Sequence, residues 1–396
     1  MDIPAFTELT PQPGFPDPLR RNDGSAVTTP LQWRQRRTEL LELFQHFMYG
    51  YLPSVPPAVT VETLFSDASW RNGLGTLREV AIRFHAQAPP LHLLVATPNL
   101  RAGPVPLLVG PNFGGNHTEV DDPRVAIPTS WMPEHIAGVV GNQATEAGRG
   151  KRCKFDFDQA LRRGYGIATF YHGDIDPDRP DFTDGIHPFV QPEPRGEHAM
   201  GTIAAWAWGV MRAVDHLVAD PTVDPRRIGV VGHSRNGKVA LLAAAVDERI
   251  ALACVHQAGM GGSAPSRGVI GESIKAINER FPHWFCDMFK RFNEQPELLP
   301  FDQHALVGLC APRPVLFSNA VEDGWANPAG QLAVLREASP VYRLLGVPVC
   351  PVDVMPLANT ETVLADTKLG FFYRPGKHDM LPSDWKAFLD FSDRWL

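Results

Sequence analysis

With 396 residues, 44% of them hydrophobic and 20% charged, the chain is long and apolar enough to build one large domain or two ordinary ones. A formal net charge of −7 and the lack of a dense Lys/Arg tract argue against a nucleic-acid partner, and no apolar run approaches the ~20 residues of a membrane-spanning helix. The 5 cysteines, odd in number and without a Cys-x-x-Cys pair, suggest neither a disulfide scaffold nor a zinc site; Cys254 and Cys310 lie in apolar runs and read as core.

Residues 1–30 are rich in proline and polar side chains and are expected to run extended over the surface. The opening residues, from Met1 to Ala5, lack the basic and apolar regions of a secretory leader. The expectation is a protein of the cell interior, or a secreted or periplasmic one whose leader has been removed. From Trp33 to Tyr49, Leu40, Leu43, Phe44 and Phe47 recur at helical spacing. Strand-like runs follow at 59–65, 77–84 and 91–96, the second alternating as a half-buried antiparallel strand does.

From Val105 onward short apolar runs (105–109, 166–170, 228–231, 250–255, 314–317) alternate with helical segments such as 199–218 and 238–246. That alternation predicts an α/β fold with a mostly parallel central sheet, helices on both faces and antiparallel strands at the N-terminal edge, a three-layer sandwich. Residues 369–373 read as the last strand. The helix from Pro382 to Leu396 places Trp385, Phe388, Leu389, Phe391 and Trp395 at a helical period. Long connections near 114–155, 260–302 and 345–368 have the length of lids or binding segments. With no repeat and no linker, one domain over 1–396 is the expected organisation.

The most informative segment is Gly232-His233-Ser234-Arg235-Asn236-Gly237-Lys238-Val239, between an apolar strand and the Ala-rich helix that follows. A serine on a strand-to-helix turn is how an α/β-hydrolase lifts a hydroxyl clear of its sheet, beside N–H groups aimed at a developing oxyanion. The usual pattern is Gly-x-Ser-x-Gly, and here the second glycine stands one place late, at Gly237. The alternative is a serine that N-caps an ordinary helix. A serine hydrolase also needs a base and a carboxylate to orient it, in the order Ser, acid, His. The loop after 314–317 supplies Glu322 and Asp323, and His378 stands between the last strand and the last helix. Asp323, three residues before Ala326-Asn327-Pro328, is the favoured acid and Glu322 its competitor. His233, His117, His172, His187, His198, His283 and His304 show no metal-ligand spacing and are expected to pack or to make structural hydrogen bonds; no metal and no cofactor are called for.

The Gly-His-Ser-Arg-x-Gly-Lys run resembles the signature of the glucuronoyl esterases, carbohydrate esterase family 15, and the bacterial branch in particular. The likeness extends through Asn112-Phe113-Gly114-Gly115-Asn116-His117, Arg163-Gly164-Tyr165-Gly166, Ala204-Ala205-Trp206-Ala207-Trp208-Gly209, Phe281-Pro282-His283-Trp284-Phe285-Cys286, Asp302-Gln303-His304 and Ala311-Pro312-Arg313-Pro314 to the His378 segment. The resemblance implies an α/β-hydrolase fold and metal-free hydrolysis of esters between (4-O-methyl)glucuronic acid on xylan and lignin alcohols. By matching position it implies Ser234 as nucleophile, His378 as base, Arg235 as oxyanion partner, and Lys238, Glu272 and Trp325 as sugar contacts. Fungal members carry the triad glutamate after the strand that follows the nucleophile helix. That region here, from Val255 to Gly262, holds no acid, whereas some bacterial members use the later loop. The readings that stand are a glucuronoyl esterase working as a monomer on a lignin-carbohydrate ester, an acetylxylan or feruloyl esterase, and an inactive carbohydrate-binding homologue.

Overall fold

The computed structural model describes residues 3–53, 59–191, 194–268, 270–349, 355 and 361–396. Alternate residues of its middle strands enter two different cores, which is why those strands read as unbroken apolar runs. Leu107, Val109, Ile228, Val230, Ala253, Val255, Val315 and Phe317 belong to one cluster, and Leu108, Val231, Leu252, Cys254 and Leu316 to the other. A strand buried on both faces has no polar side to show.

The strands of the main sheet are β1 (Thr60–Asp67), β2 (Gly75–Arg83), β3 (Leu91–Pro98), β4 (Val105–Asn112), β5 (Gly166–Tyr171), β6 (Val223–His233), β7 (Leu252–His256), β8 (Val315–Ala320), β9 (Thr362–Leu364) and β10 (Leu369–Arg374). They form one 10-stranded sheet in the order β1-β2-β3-β5-β4-β6-β7-β8-β10-β9. The pairs from β5 through β4, β6, β7 and β8 to β10 are parallel, while β1, β2 and β3 at one edge and β9 at the other pair antiparallel. This is the expected α/β-hydrolase arrangement, with one addition. The stretch 345–368 reads as a connection in sequence, yet Thr362–Leu364 forms an edge strand there; residues 350–354 and 356–360, Cys350 among them, lie outside the described residues.

The longer α-helices are α1 (Pro30–Phe44), α2 (Phe157–Arg162), α3 (Thr202–Ala219), α4 (Arg235–Val246), α5 (Ile274–Arg280), α6 (Gln303–Cys310), α7 (Pro328–Leu344) and α8 (Pro382–Trp395). Apolar residues of α1, α3, α4, α6 and α7 fill the first core, and those of α2 and α8 the second. The sheet is therefore the middle of three layers. The helix expected to reach Tyr49 stops at Phe44, and Gln45–Tyr49 widens into a π-helical turn. The other two long connections hold short elements, a helix at Asn116–Glu119 in the first and α5 in the second.

One contact decides where the site forms. The backbone of α4 crosses the end of β6 so closely that a Cβ on Gly232 would lie 1.9 Å from the Asn236 carbonyl oxygen. Asn236, standing where the usual motif has its second glycine, is fully buried; its amide nitrogen donates to Pro111 O at 3.0 Å, which ties α4 to the end of β4. Gly237 takes up the close packing instead, with a Cβ there falling 2.9 Å from Ala258 and 3.0 Å from His256 O. The one-place shift of the glycine follows from that exchange. Gly232→Ala should therefore lower stability by about 2 kcal/mol or more, the range of overpacking a tight core. Urea denaturation checks this; a variant with an unchanged midpoint would show that the approach is not tight.

Candidate active site

Ser234 follows β6 directly, and its backbone sits at φ 58°, ψ −126°. A non-glycine residue in that region is strained and persists only where the surroundings force it. Here the force is visible: Ser234 N donates to His256 O at 2.8 Å, and its carbonyl accepts from Gly237 N at 2.8 Å. The side chain makes no capping hydrogen bond to α4. The N-cap alternative thus fails, because the hydroxyl is left to face a cavity rather than the helix end. Arg235, the first residue of α4, has an N–H that the helix itself cannot satisfy.

His378 and Asp323 come from the loops that leave β10 and β8, at the same end of the sheet as Ser234. His378 Nδ1 lies 2.7 Å from Asp323 Oδ2. That bond puts the ring proton on Nδ1 and leaves Nε2 as the basic nitrogen. Asp323 is buried, whereas the neighbouring Glu322 is exposed and its backbone N–H is taken by Gly376 O. Of the two candidate acids, Asp323 is the one bonded to the imidazole.

The loop carrying His378 is pinned from below by a buried network. Arg374 grips Asp384 through two bonds of 2.8 Å and donates to Asp379 O at 2.6 Å. His256 Nε2 donates to the same carbonyl at 2.9 Å, and Ser318 Oγ stands 2.8 Å from His256 Nδ1. His233 is sandwiched between His256 and His378, with ring centroids 4.9 and 4.6 Å apart. Burial, then the proximity of the other imidazoles, pushes the His233 pKa well below its ordinary value. The ring stays neutral and adds no repulsive charge beside His378.

Ser234, Arg235, Lys238, Glu272, Asp323, Trp325 and His378 all line one cavity of about 270 Å³. Lys238, a turn into α4, is buried and its ammonium is held by Ala258 O at 2.7 Å, by Met260 O and by Glu272 at 3.5 Å. Burial lowers its pKa, with Glu272 pulling the other way. Glu272 in turn accepts from the Trp325 indole at 3.2 Å, and the Trp325 ring is 53% exposed at the mouth. Lysine, glutamate and tryptophan thus form one connected wall.

Phe281 and Trp284 also line the cavity, and the Lys238 ammonium stands 5.9 Å from the Trp284 ring. Phe281 and Trp284 stack with ring planes 1° apart and centroids at 3.7 Å. The Arg235 guanidinium lies over both, at 5.2 and 4.8 Å, and is ion-paired with Asp178. Gln257 also lines the cavity, from the strand end where fungal members are expected to carry their acid. Of the other histidines, His187 bonds Asp176, His304 bonds Pro16 O and His283 bonds Asp178. Among the described residues no cluster of three or more His, Cys, Asp or Glu has the arrangement of a metal site.

A family model described as glucuronyl esterase of fungi matches residues 193–346. The chain is 39% identical to Carbohydrate esterase MZ0003, from an unknown prokaryotic organism, across 98% of this chain and 90% of that protein. The chain belongs to carbohydrate esterase family 15, the glucuronoyl esterases. A glucuronoyl esterase of known structure from Solibacter usitatus superposes with a TM-score of 0.89 at 34% identity, over 98% of each chain. The 4-O-methyl-glucuronoyl methylesterase of Phanerochaete carnosa is 29% identical over 84% of this chain and 73% of its own length. Membership in this family makes the protein a carboxylic ester hydrolase.

One buried ring under the site gives a pH dependence. His172 stacks on Trp206 at 4.2 Å and shares a 3.0 Å hydrogen bond with the Asn236 amide oxygen. Burial first, and the nearby arginines after it, lower its pKa from 6.5 to about 4. The unfolded chain therefore binds a proton that the folded chain refuses. Stability should fall as pH drops from 6.5 towards 4, with this ring contributing on the order of 3 kcal/mol of the loss at the acid end. Melting curves of wild type and His172→Gln across that window check it. The variant should show the shallower decline, and equal slopes would remove His172 from the account.

Proposed function

We propose that the protein is a serine esterase acting on esters of (4-O-methyl)glucuronic acid, as in lignin-glucuronoxylan cross-links, through an acyl-enzyme. The observation that carries this reading is the 2.7 Å His378–Asp323 bond, in one cavity with a serine whose backbone is forced into a positive-φ elbow.

Ser234 Oγ attacks the ester carbonyl carbon while its proton passes to His378 Nε2. The carbonyl oxygen becomes an oxyanion. Arg235, next to Ser234 and lining the same cavity, supplies its backbone N–H and guanidinium to that charge, an attraction strongest in the transition state that lowers the barrier. The tetrahedral intermediate then collapses, the C–O bond to the alcohol breaks, and His378 returns the proton to the leaving oxygen. Water repeats the sequence on the acyl-enzyme, releasing glucuronic acid and restoring the Ser234 hydroxyl. Asp323 holds the imidazole in the required tautomer throughout and stabilises its charged form.

The wall of Lys238, Glu272 and Trp325 suits a sugar acid. An ammonium and a carboxylate in one cavity can serve ring hydroxyls as donor and acceptor, and the exposed indole offers an apolar face to the pyranose. A small acetyl group would leave all three without work, which weighs against the acetylxylan reading.

Ser234→Ala and His378→Ala should each lower kcat on benzyl glucuronate by roughly 10⁴-fold or more. Asp323→Asn should cost roughly 10³-fold, while Glu322→Gln stays within about threefold of wild type. Steady-state kinetics on the four variants check the assignment, and full activity in Ser234→Ala would refute it. Rates on acetylated xylan above those on benzyl glucuronate would favour the acetylxylan esterase reading instead.

A further inference from the structure

Asp178 sits in the turn after β5, where the sequence offers no motif, and its side chain is only 3% exposed. Three donors converge on it. Oδ1 lies 2.9 Å from His283 Nε2 and 2.8 Å from Trp284 Nε1, and Oδ2 is ion-paired with Arg235 Nη1. Both of the first two bonds fall on Oδ1, which leaves Oδ2 to the guanidinium. Burial alone would raise the Asp178 pKa. The His283 hydrogen bond and the Arg235 charge outweigh it, and the group is held well below the usual carboxylate range.

We propose that Asp178 is a positioning residue for ester hydrolysis: clamped by His283 and Trp284, it holds one arm of the Arg235 guanidinium so that the other faces the developing oxyanion. This rests on the oxyanion role of Arg235 given above. Arg235 has no other carboxylate partner among the described residues, and its remaining neighbours are the rings of Phe113, Phe281 and Trp284, which attract the cation without fixing its orientation. A guanidinium held only by ring faces would pivot between the oxyanion side and the solvent. Held by a fixed carboxylate, it is in place before charge appears, and such preorganised donors contribute most to catalysis.

Electrostatics without positioning predicts the opposite sign. Asp178 is a negative charge near a forming negative charge, so neutralising it would speed the reaction if the guanidinium stayed where it is. Asparagine decides the matter. Its oxygen would satisfy His283 and Trp284, which leaves its NH₂ facing the guanidinium, donor against donor. The shape is kept and the aim is lost.

The experiment is a double-mutant cycle on the purified full chain, with benzyl glucuronate as substrate and thermal melts to establish folding. Arg235→Ala should lower kcat roughly 100-fold, as loss of one oxyanion donor does, and Asp178→Asn should lower it roughly 10- to 100-fold with KM within about threefold. In the Arg235→Ala background Asp178→Asn should add less than about twofold, because nothing remains to aim. A kcat for Asp178→Asn equal to or above wild type overturns the proposal. So does the same fold-loss in both backgrounds, the mark of a purely structural role. An Arg235→Ala enzyme at the wild-type rate would instead defeat the oxyanion reading itself, and this proposal with it. Should Asp178→Asn not accumulate as folded protein, His283→Leu removes one of the N–H groups given to Asp178 and leaves the Phe281 and Trp284 rings under the guanidinium unaltered. Its loss of kcat should likewise vanish in the Arg235→Ala background, and an undiminished loss there counts against the proposal.

Discussion

Everything in the site depends on the approach of α4 to the end of β6 at Gly232. That contact bends the chain sharply enough to force Ser234 into a backbone region its Cβ disfavours, and it turns the first residue of α4 towards the cavity. Strain of this kind survives because the flanking elements are fixed independently. β6 lies in the middle of a parallel sheet buried on both faces, and Asn236 anchors the helix to Pro111 at the end of β4. The hydroxyl has nowhere to go but out.

The supporting shell works by the same logic of over-determination. His233, His256 and Ser318 stand in register across the strand ends, and they carry the loop that presents His378. The buried imidazoles His172, His233 and His256 all have pKa values lowered chiefly by burial. Of the three, His233 is the ring that packs directly against His378. A proton that charged His256 would also disturb the loop that presents His378, because His256 holds it through Asp379 O.

Much of this was legible in the sequence because it rests on periodicity and position. Strands buried on both faces leave unbroken apolar runs, and Ser234, Asp323 and His378 follow strand ends in that chain order. Asp323 could be ranked above Glu322 by its distance from Asn327-Pro328, and the structure gives it the bond to His378. The grouping of Phe281 and Trp284 in the cavity lining with Asp178 behind them was not legible. The two segments lie about a hundred residues apart in sequence, and only the packing of the turn after β5 against the connection following α5 brings them together. The shifted glycine was visible as a departure, but its reason was not, since Asn236 shows its purpose only through Pro111 and His172. The edge strand β9 was missed because 3 residues carry too little periodicity to stand out.

The central claim is that a strained Ser234 and a pre-aimed Arg235 act together on one carbonyl. A crystal structure of the enzyme after reaction with an alkyl fluorophosphonate tests this directly, because the phosphoryl oxygen stands in for the oxyanion. The account predicts a covalent bond from phosphorus to Ser234 Oγ, with the phosphoryl oxygen about 3 Å from an Arg235 nitrogen. Modification of another residue, or a guanidinium turned away from that oxygen, would contradict it.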